Sequence, residues 1–122
     1  MERDKPAAAD LLETARSLLR EELLAHLPAS QKLNGLMIAN AMAIAARELE
    51  TVPDMEEGAA QSLRALYPEM ETAALSELCK RFAGDIRSGC FDDDENVYDI
   101  LLANTRERIA TANPRYLAAS EK

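Results

Sequence analysis

Apolar residues recur at three- and four-residue spacing along most of the chain, a pattern typical of helices that bury one face. No segment bounded by turn residues shows the sustained alternation that indicates a strand. Four long segments and one shorter one carry the helical pattern: from just after Pro6 to about Leu27, then 31–50, 55–67 (the shorter one), 69–88 and 92–112. The sequence therefore predicts an all-α fold, a compact antiparallel bundle of four to five helices that forms one domain over residues 1–122.

Proline and glycine mark the predicted helix ends. Pro28 stops the first helix, the tetrapeptide Thr-Val-Pro-Asp at 51–54 ends the second, and Pro68 ends the third. Gly89 is a natural stop for the fourth helix, and the Asn-Pro pair at 113–114 ends the fifth.

The second predicted helix has apolar residues on both sides, which is typical of the central helix of a bundle. One side carries Ile38, Met42 and Leu49, and the nearly opposite side carries three more, Leu33, Met37 and Ile44. If other helices leave the first side uncovered, it offers a contact surface for a second copy of the chain. On this basis the sequence predicts a homodimer. Gly35, on the same helix, suits a close approach between helices.

The composition excludes several classes of protein. With 14 basic and 22 acidic residues the net charge is -8, so repulsion from phosphate opposes binding to nucleic acid. The longest nearly apolar run, residues 36–46, is far shorter than the roughly 20 residues that span a bilayer. The charged N-terminal residues lack the pattern of a secretory signal. We therefore expect a cytoplasmic protein without nucleic-acid or membrane partners.

The two cysteines, Cys79 and Cys90, do not form a Cys-x-x-Cys pair, and the chain has one histidine. Neither a disulfide framework nor a zinc site is indicated, and we expect reduced thiols. Cys79 lies on the predicted core side of the fourth helix, where packing is its expected role.

Two groups of polar residues could form a site on their own. The acidic run Asp92–Glu95 could bind a divalent cation, but its place at a helix start favours capping of free N–H groups. Glu22 and His26 are four residues apart and could touch, as in a general base, yet no nucleophile motif accompanies them. We interpret this pair as exposed at the end of the first helix. The sequence predicts no catalytic residues, metal site or cofactor.

A third polar group lies beside the apolar stripes of the second and fifth helices. Asn40 and Arg47 are two turns apart on a face expected to be buried, and Asn104 and Arg108 flank the stripe of the fifth helix. That stripe runs through Tyr98, Leu101, Leu102, Thr105, Ile109 and Ala112. Buried polar groups need partners. The candidate ligand-binding residues are therefore Asn40, Arg47 and Arg108, which could hold an anion. The alternative is a hydrogen-bond network that fixes the register of the helices.

Arginines supply most of the positive charge in the second half of the chain. They are either a docking patch for an acidic partner or solvated helix faces, and the four are Arg81, Arg87, Arg106 and Arg115.

Segments spread over nearly the full chain resemble the bacterial family catalogued as domain of unknown function 6285. They are Arg3 and Pro6 ahead of Ala-Asp-Leu-Leu at 9–12, Ala39-Asn40 with Ile44, Arg-Glu-Leu at 47–49, Leu78-Cys79, Ile-Arg-Ser-Gly at 86–89, and Asn-Pro-Arg-Tyr-Leu at 113–117. The resemblance implies no assigned activity. It does imply genes that lie beside those of acyl-CoA dehydrogenase-like flavoproteins and aminoglycoside-phosphotransferase-like kinases, and thus an accessory part in acyl-CoA catabolism with such an enzyme as partner.

Two functional interpretations follow. The first is a non-catalytic accessory protein that binds a partner enzyme or self-associates, with Ile38, Met42, Leu49 and Arg87 as its interaction residues. The second is a small-molecule binding protein, or an enzyme, that uses a polar pocket inside the bundle to hold a carboxylate, a phosphate or an acyl-CoA.

Overall fold

The computed structural model describes residues 6–120. Within this range the chain forms helices and turns and has no strand, which confirms the predicted all-α helical bundle of four to five helices. The α-helices of the described residues are α1 (Ala8–Leu18), α2 (Lys32–Leu66), α3 (Leu75–Arg87), α4 (Glu95–Ala112) and α5 (Pro114–Ser120). None of these helices combines the length and the apolar character needed to cross a bilayer. Arg3, one of the residues that carry the family resemblance, lies outside the described range.

Contacts between residues divide the chain into two compact units. Unit 1 comprises the described residues up to Thr51 together with Thr111–Asn113. Unit 2 comprises Val52–Ala110 and the described residues from Pro114 onward. Helix α2 contributes residues to both units. The prediction of a single domain stays a prediction.

Unit 1 begins with α1, which continues as a π-helical turn over Leu19–Leu23 and a 3-10 turn over Leu24–His26. Leu27 then adopts an extended conformation ahead of Pro28, with φ of -72° and ψ of 143°. The residue before a proline is pushed out of the helical region by the proline ring. The helix therefore ends where the sequence predicts.

The interior of unit 1 is built from small residues. Its buried apolar side chains on α2 are Ala39, Ala43 and Ala46. Gly35 is also buried, and a Cβ atom there would lie 2.8 Å from a methyl group of Leu24 and 2.8 Å from one of Leu27. Small side chains allow helices to approach closely but remove little apolar surface from water.

Helix α2 does not end at the Thr-Val-Pro-Asp tetrapeptide, so the prediction of two helices at 31–50 and 55–67 is wrong. The helix runs without a break through Pro53. Thr51 Oγ1 donates a hydrogen bond to the carbonyl oxygen of Arg47, 2.8 Å away, a local bond that helices accommodate. Beyond the proline, Ala60 is buried and Met55 and Ala59 are half-buried, and this packing sustains the helix.

Unit 2 has a core of larger side chains. Its buried residues are Leu63 from α2, Tyr67 directly after α2, Leu78 and Phe82 from α3, and Val97 from α4. The rings of Phe82 and Phe91 extend this core with their centroids 5.8 Å apart and their planes tilted by 51°. Tilted aromatic pairs at this distance attract one another beyond their buried area.

The turn between α3 and α4 follows the sequence prediction in part. Gly89 has a φ of +82°, a conformation that favours glycine, and it follows the end of α3 as expected. Asp94 caps α4, since its Oδ1 accepts a hydrogen bond from the backbone N–H of Val97 at 3.1 Å. The capping interpretation of the acidic run is therefore confirmed for Asp94.

The predicted burial pattern of the last two long helices needs correction. On α4, Tyr98 and Leu101 are exposed, whereas Val97 is buried and Ile100 and Asn104 are half-buried, so the inner face is rotated relative to the predicted stripe. On α3, Cys79 is exposed rather than packed in the core. Both cysteines are free, as expected. The sequence prediction lacks helix α5. It treats Pro114 as the end of the preceding helix, whereas Pro114 is the first residue of α5.

Candidate functional site

Large apolar side chains lie exposed on the part of α2 that belongs to unit 1. Leu33 and Met37 are 68% and 61% exposed, and Ile38 and Leu49 are 51% and 53% exposed. These residues do not share one face, since Leu33, Met37 and the exposed Leu36 lie on one side of α2 and Ile38 and Leu49 lie on the nearly opposite side. We name the five residues together the apolar surface of α2. Single exposed leucines are normal, but a concentration of this kind is uncommon on a monomeric protein. The sequence interpreted α2 as a central helix, but Leu33 and Met37 on one side and Ile38 and Leu49 on the other are exposed in this segment.

Helix α1 and the turn after it add to the apolar character of unit 1. No residue of α1 is buried. Leu11, Leu18 and Leu23 are each about half-exposed. The fully buried apolar side chains of unit 1 are therefore alanines, whereas many of its larger apolar side chains are half-exposed or more. A protein surface that covered these side chains would remove them from water.

Two of the predicted interaction residues on α2, Ile38 and Leu49, lie on this exposed part, and Met42 between them is half-buried. Arg87, at the end of α3 in unit 2, is exposed. The four residues stay predicted interaction residues.

Arg47 has a structural partner within unit 1. Its Nε donates a hydrogen bond to the carbonyl oxygen of Thr111 at 2.7 Å, and the hydroxyls of Thr51 and Thr111 are 3.2 Å apart. Thr111 is buried and lies in the last turn of α4, where carbonyl groups have no partner within the helix. A guanidinium at this end also interacts favourably with the helix dipole. Arg47 thus ties α2 to the end of α4 through a hydrogen-bond network.

The other two candidate ligand-binding residues lie on the surface. Asn40 is exposed on α2 in unit 1, so its expected burial is wrong, and Arg108 is exposed on α4 in unit 2. The binding of an anion by Asn40, Arg47 and Arg108 stays a prediction.

A cluster that sequence reasoning missed lies in unit 2. The Tyr67 hydroxyl donates a hydrogen bond to Asp85 Oδ2 at 2.8 Å, and Arg81 Nε donates to the same oxygen at 2.9 Å. The guanidinium carbon of Arg81 lies 5.3 Å from the centre of the Tyr67 ring, within reach of a cation–π interaction. The cluster joins the C-terminal end of α2 to α3.

The electrostatics of this cluster favour a structural role. Burial, together with the hydrogen bond to Asp85, raises the pKa of Tyr67 to about 12. The hydrogen bonds from Tyr67 and Arg81 lower the pKa of Asp85. At neutral pH the phenol therefore holds its proton and the carboxylate is charged and engaged, so neither group is poised to move a proton. The Arg81–Asp85 spacing of four residues was visible in the sequence, but the contact with Tyr67 requires the fold.

The remaining polar candidates do not form a reaction centre among the described residues. Glu22 and His26 are both exposed, as expected. Histidine, cysteine, aspartate and glutamate side chains of residues 6–120 form no group of three or more that could hold a metal ion. The polar contacts described above are the hydrogen bond from Arg47 to Thr111 and the cluster of Tyr67, Arg81 and Asp85.

Comparison with models of known protein families identifies the family of this chain. The model of a family described as a domain of unknown function (DUF6285) matches residues 25–116, which is more than half of the sequence. The chain belongs to the DUF6285 family. The DUF6285 match begins after α1 and includes the apolar surface of α2, the Arg47–Thr111 tie and the Tyr67 cluster. No curated protein and no solved structure matches the chain.

The candidate ligand-binding and interaction residues of this DUF6285 chain all lie within the matched range. They are Ile38, Asn40, Met42, Arg47, Leu49, Arg87 and Arg108. The Ala-Asp-Leu-Leu segment at 9–12, which also carries the resemblance, lies before the match.

Proposed function

We propose that the chain is a non-catalytic interaction protein that docks on another protein through the apolar surface of α2. The observation that carries this proposal is the exposure of large apolar side chains on a helix whose fully buried side chains in unit 1 are alanines. Three alanines are buried on α2, whereas Leu33 and Met37 are more than 60% exposed on the same helix. A folded chain gains nothing from exposing these side chains alone, but a partner that covers them gains the hydrophobic contribution of each.

The size of that contribution indicates how wide the docking surface is. Full burial of one large apolar side chain contributes roughly 1.5–3 kcal/mol, so covering the half-exposed Ile38 and Leu49 on one side of α2 contributes on the order of 2 kcal/mol before the cost of association. That is too little for a stable complex by itself. We therefore propose that the partner also covers exposed leucines of α1, such as Leu11 and Leu18.

The proposed first occupant is a second copy of this chain, as the sequence predicts from Ile38, Met42 and Leu49. The second proposed partner is an enzyme of the acyl-CoA dehydrogenase-like or phosphotransferase-like type. Support for the enzyme comes from the gene neighbourhood that the family resemblance implies. In that case the chain works as a cytoplasmic accessory protein in acyl-CoA catabolism.

Sedimentation velocity of the purified full chain over a range of concentrations tests the homodimer. We expect a species of twice the monomer mass at micromolar concentration. The double variant Ile38→Gln/Leu49→Gln exchanges two exposed apolar side chains on the predicted dimer side for polar ones that keep helix propensity, and we expect it to sediment as a monomer. Tyr98→Gln is the matched control, because Tyr98 is 64% exposed and lies on α4 in unit 2.

Coexpression with a tagged enzyme of either type, encoded beside the gene of this chain, tests the second partner. Retention of the wild-type chain and of Tyr98→Gln, with loss of the double variant, supports docking through α2. A chain that stays monomeric and is not retained by either enzyme contradicts the proposed function.

A further inference from the structure

Three helices of unit 2 surround a cavity of about 600 Å³ that is open to solvent. Its walls come from the C-terminal half of α2, from α3 and from α4. Small residues create the space, among them Gly58 and Ser62 on α2 and Ala103 on α4. At Gly58, a Cβ atom would meet nothing within 4 Å. A volume of this size is within the range of sites that hold small organic molecules.

The cavity has an apolar base. Leu63 and Phe82 are 5% and 8% exposed and line it, and the half-buried Ile100 continues this lining. Asn104, one helical turn further along α4, places an amide among the lining residues. An apolar wall with a few polar groups is the usual composition of a ligand site, because burial supplies affinity and the polar groups fix orientation.

The charge on the lining has one sign. Asp99 and Glu107 line the cavity, whereas none of its lining residues within the described range is a lysine or an arginine. The two acidic residues lie on α4, where eight residues correspond to about 12 Å along the helix axis. Carboxylates beside an apolar wall favour a cation and oppose a carboxylate or a phosphate.

From this combination we propose that the cavity of unit 2 binds an organic cation, a molecule with an apolar body and an amine. The apolar body contacts Leu63 and Phe82, and the ammonium group interacts with the carboxylate of Asp99. This site is separate from the apolar surface of α2, which lies in unit 1. The ligand class is opposite in charge to the anion predicted for Asn40, Arg47 and Arg108.

Cys79 offers a direct readout of occupancy. It lines the cavity and its thiol is exposed, so a bound molecule shields it from alkylation. Cys90 is also exposed but does not line the cavity, and it serves as a reference within the same protein. Mass spectrometry of the two cysteine peptides after treatment with iodoacetamide gives both rates from one sample of the full chain.

The probes are phenylbutylamine, phenylbutanol and phenylbutyrate, which share an apolar body and differ in charge. We expect phenylbutylamine to slow alkylation of Cys79 saturably while the rate at Cys90 is unchanged. A charge-assisted contact predicts an affinity about tenfold above that of the neutral alcohol. Equal protection by the alcohol, or stronger protection by phenylbutyrate, overturns the proposed ligand class.

Matched variants test the location. Gly58→Leu places a side chain in the cavity and should abolish protection, whereas Gly84→Leu adds the same side chain on α3, where a Cβ also meets nothing within 4 Å, and should retain it. Asp99→Asn should weaken binding of the amine several-fold and leave binding of the alcohol unchanged. Circular dichroism confirms that each variant is folded. Persistent protection in Gly58→Leu overturns the site.

Discussion

At the scale of single residues, the glycines within helices differ in what surrounds them. Gly35 is buried, and a Cβ there would come within 2.8 Å of methyl groups of Leu24 and Leu27. Gly84 in α3 has nothing within 4 Å of the same position. The first glycine therefore permits close packing of the chain segments on either side of Pro28, while the second only lowers the helix propensity of α3.

We expect Gly35→Leu to lower the free energy of unfolding by about 1–3 kcal/mol, because the added atoms overlap two side chains that must move. Gly84→Leu should raise it by up to about 1 kcal/mol, since it replaces a poor helix former with a good one on an open surface. Urea unfolding of both variants measures the difference. Equal stability of the two variants would contradict the close packing at Gly35.

Tyr67 shows how burial and hydrogen bonding couple stability to pH. Its pKa is about 12 in the folded chain, above the ordinary value of 10.0. The folded state therefore holds the phenol proton more tightly than the unfolded state. The corresponding stabilisation is complete below pH 10 and is lost as the pH rises from 10 through 12.

At neutral pH, Tyr67→Phe should cost about 1 kcal/mol through the lost hydrogen bond to Asp85. Between pH 10 and 12, the wild-type chain should lose stability more steeply than this variant, so that the difference between them narrows. Urea unfolding at a series of pH values measures the effect. Tyr98→Phe, which removes an exposed hydroxyl, is the control, and a constant wild-type–variant difference would exclude the proposed linkage.

At the scale of helices, Pro53 stands inside α2 rather than at its end. Proline lacks a backbone N–H, and its ring crowds the carbonyl group four residues earlier, which here belongs to Leu49. The side chain of Pro53 is exposed, so it contributes little burial to offset this cost.

Pro53→Ala should therefore raise the free energy of unfolding, by up to about 3 kcal/mol. Pro68→Ala is the control and should change it by less than about 0.5 kcal/mol, because Pro68 begins a 3-10 turn where no N–H is needed. Thermal unfolding of the two variants and the wild type tests this. A loss of stability in Pro53→Ala would mean that the proline ring has a packing role.

The helices could largely be predicted from the sequence because apolar periodicity reports burial. Pro28 and Gly89 end helices through their own backbone conformations, which the sequence shows directly. The failure at Pro53 has a physical cause: packing of Met55, Ala59 and Ala60 outweighs the local preference of the tetrapeptide to end a helix. The contact of Tyr67 with Asp85 and the cavity beside Gly58 depend on how distant segments meet, which periodicity does not report. Exposure of Leu33 and Met37 was missed for the same reason.

At the scale of the whole molecule, the net charge of -8 acts against the proposed self-association. Two copies carry like charge, so their approach costs electrostatic free energy that salt screens. The apolar surface of α2 supplies an attraction that salt does not weaken.

We expect the dissociation constant of the homodimer to fall about three- to tenfold as ionic strength rises from about 0.02 M to about 0.3 M. Sedimentation equilibrium at both ionic strengths measures this change. A dissociation constant that rises with salt would instead indicate an interface held by ion pairs, and would direct attention to exposed arginines such as Arg87.

The alanine interior of unit 1 also has a calorimetric consequence. The heat capacity of unfolding comes from apolar surface that becomes hydrated, and in unit 1 much of that surface is hydrated already. A monomeric variant should therefore show a heat-capacity change below the usual value of about 12–15 cal/mol/K per residue. Its unfolding enthalpy should be correspondingly small, so unit 1 should melt over a wide span of temperature, and the transition should sharpen when a partner covers α2.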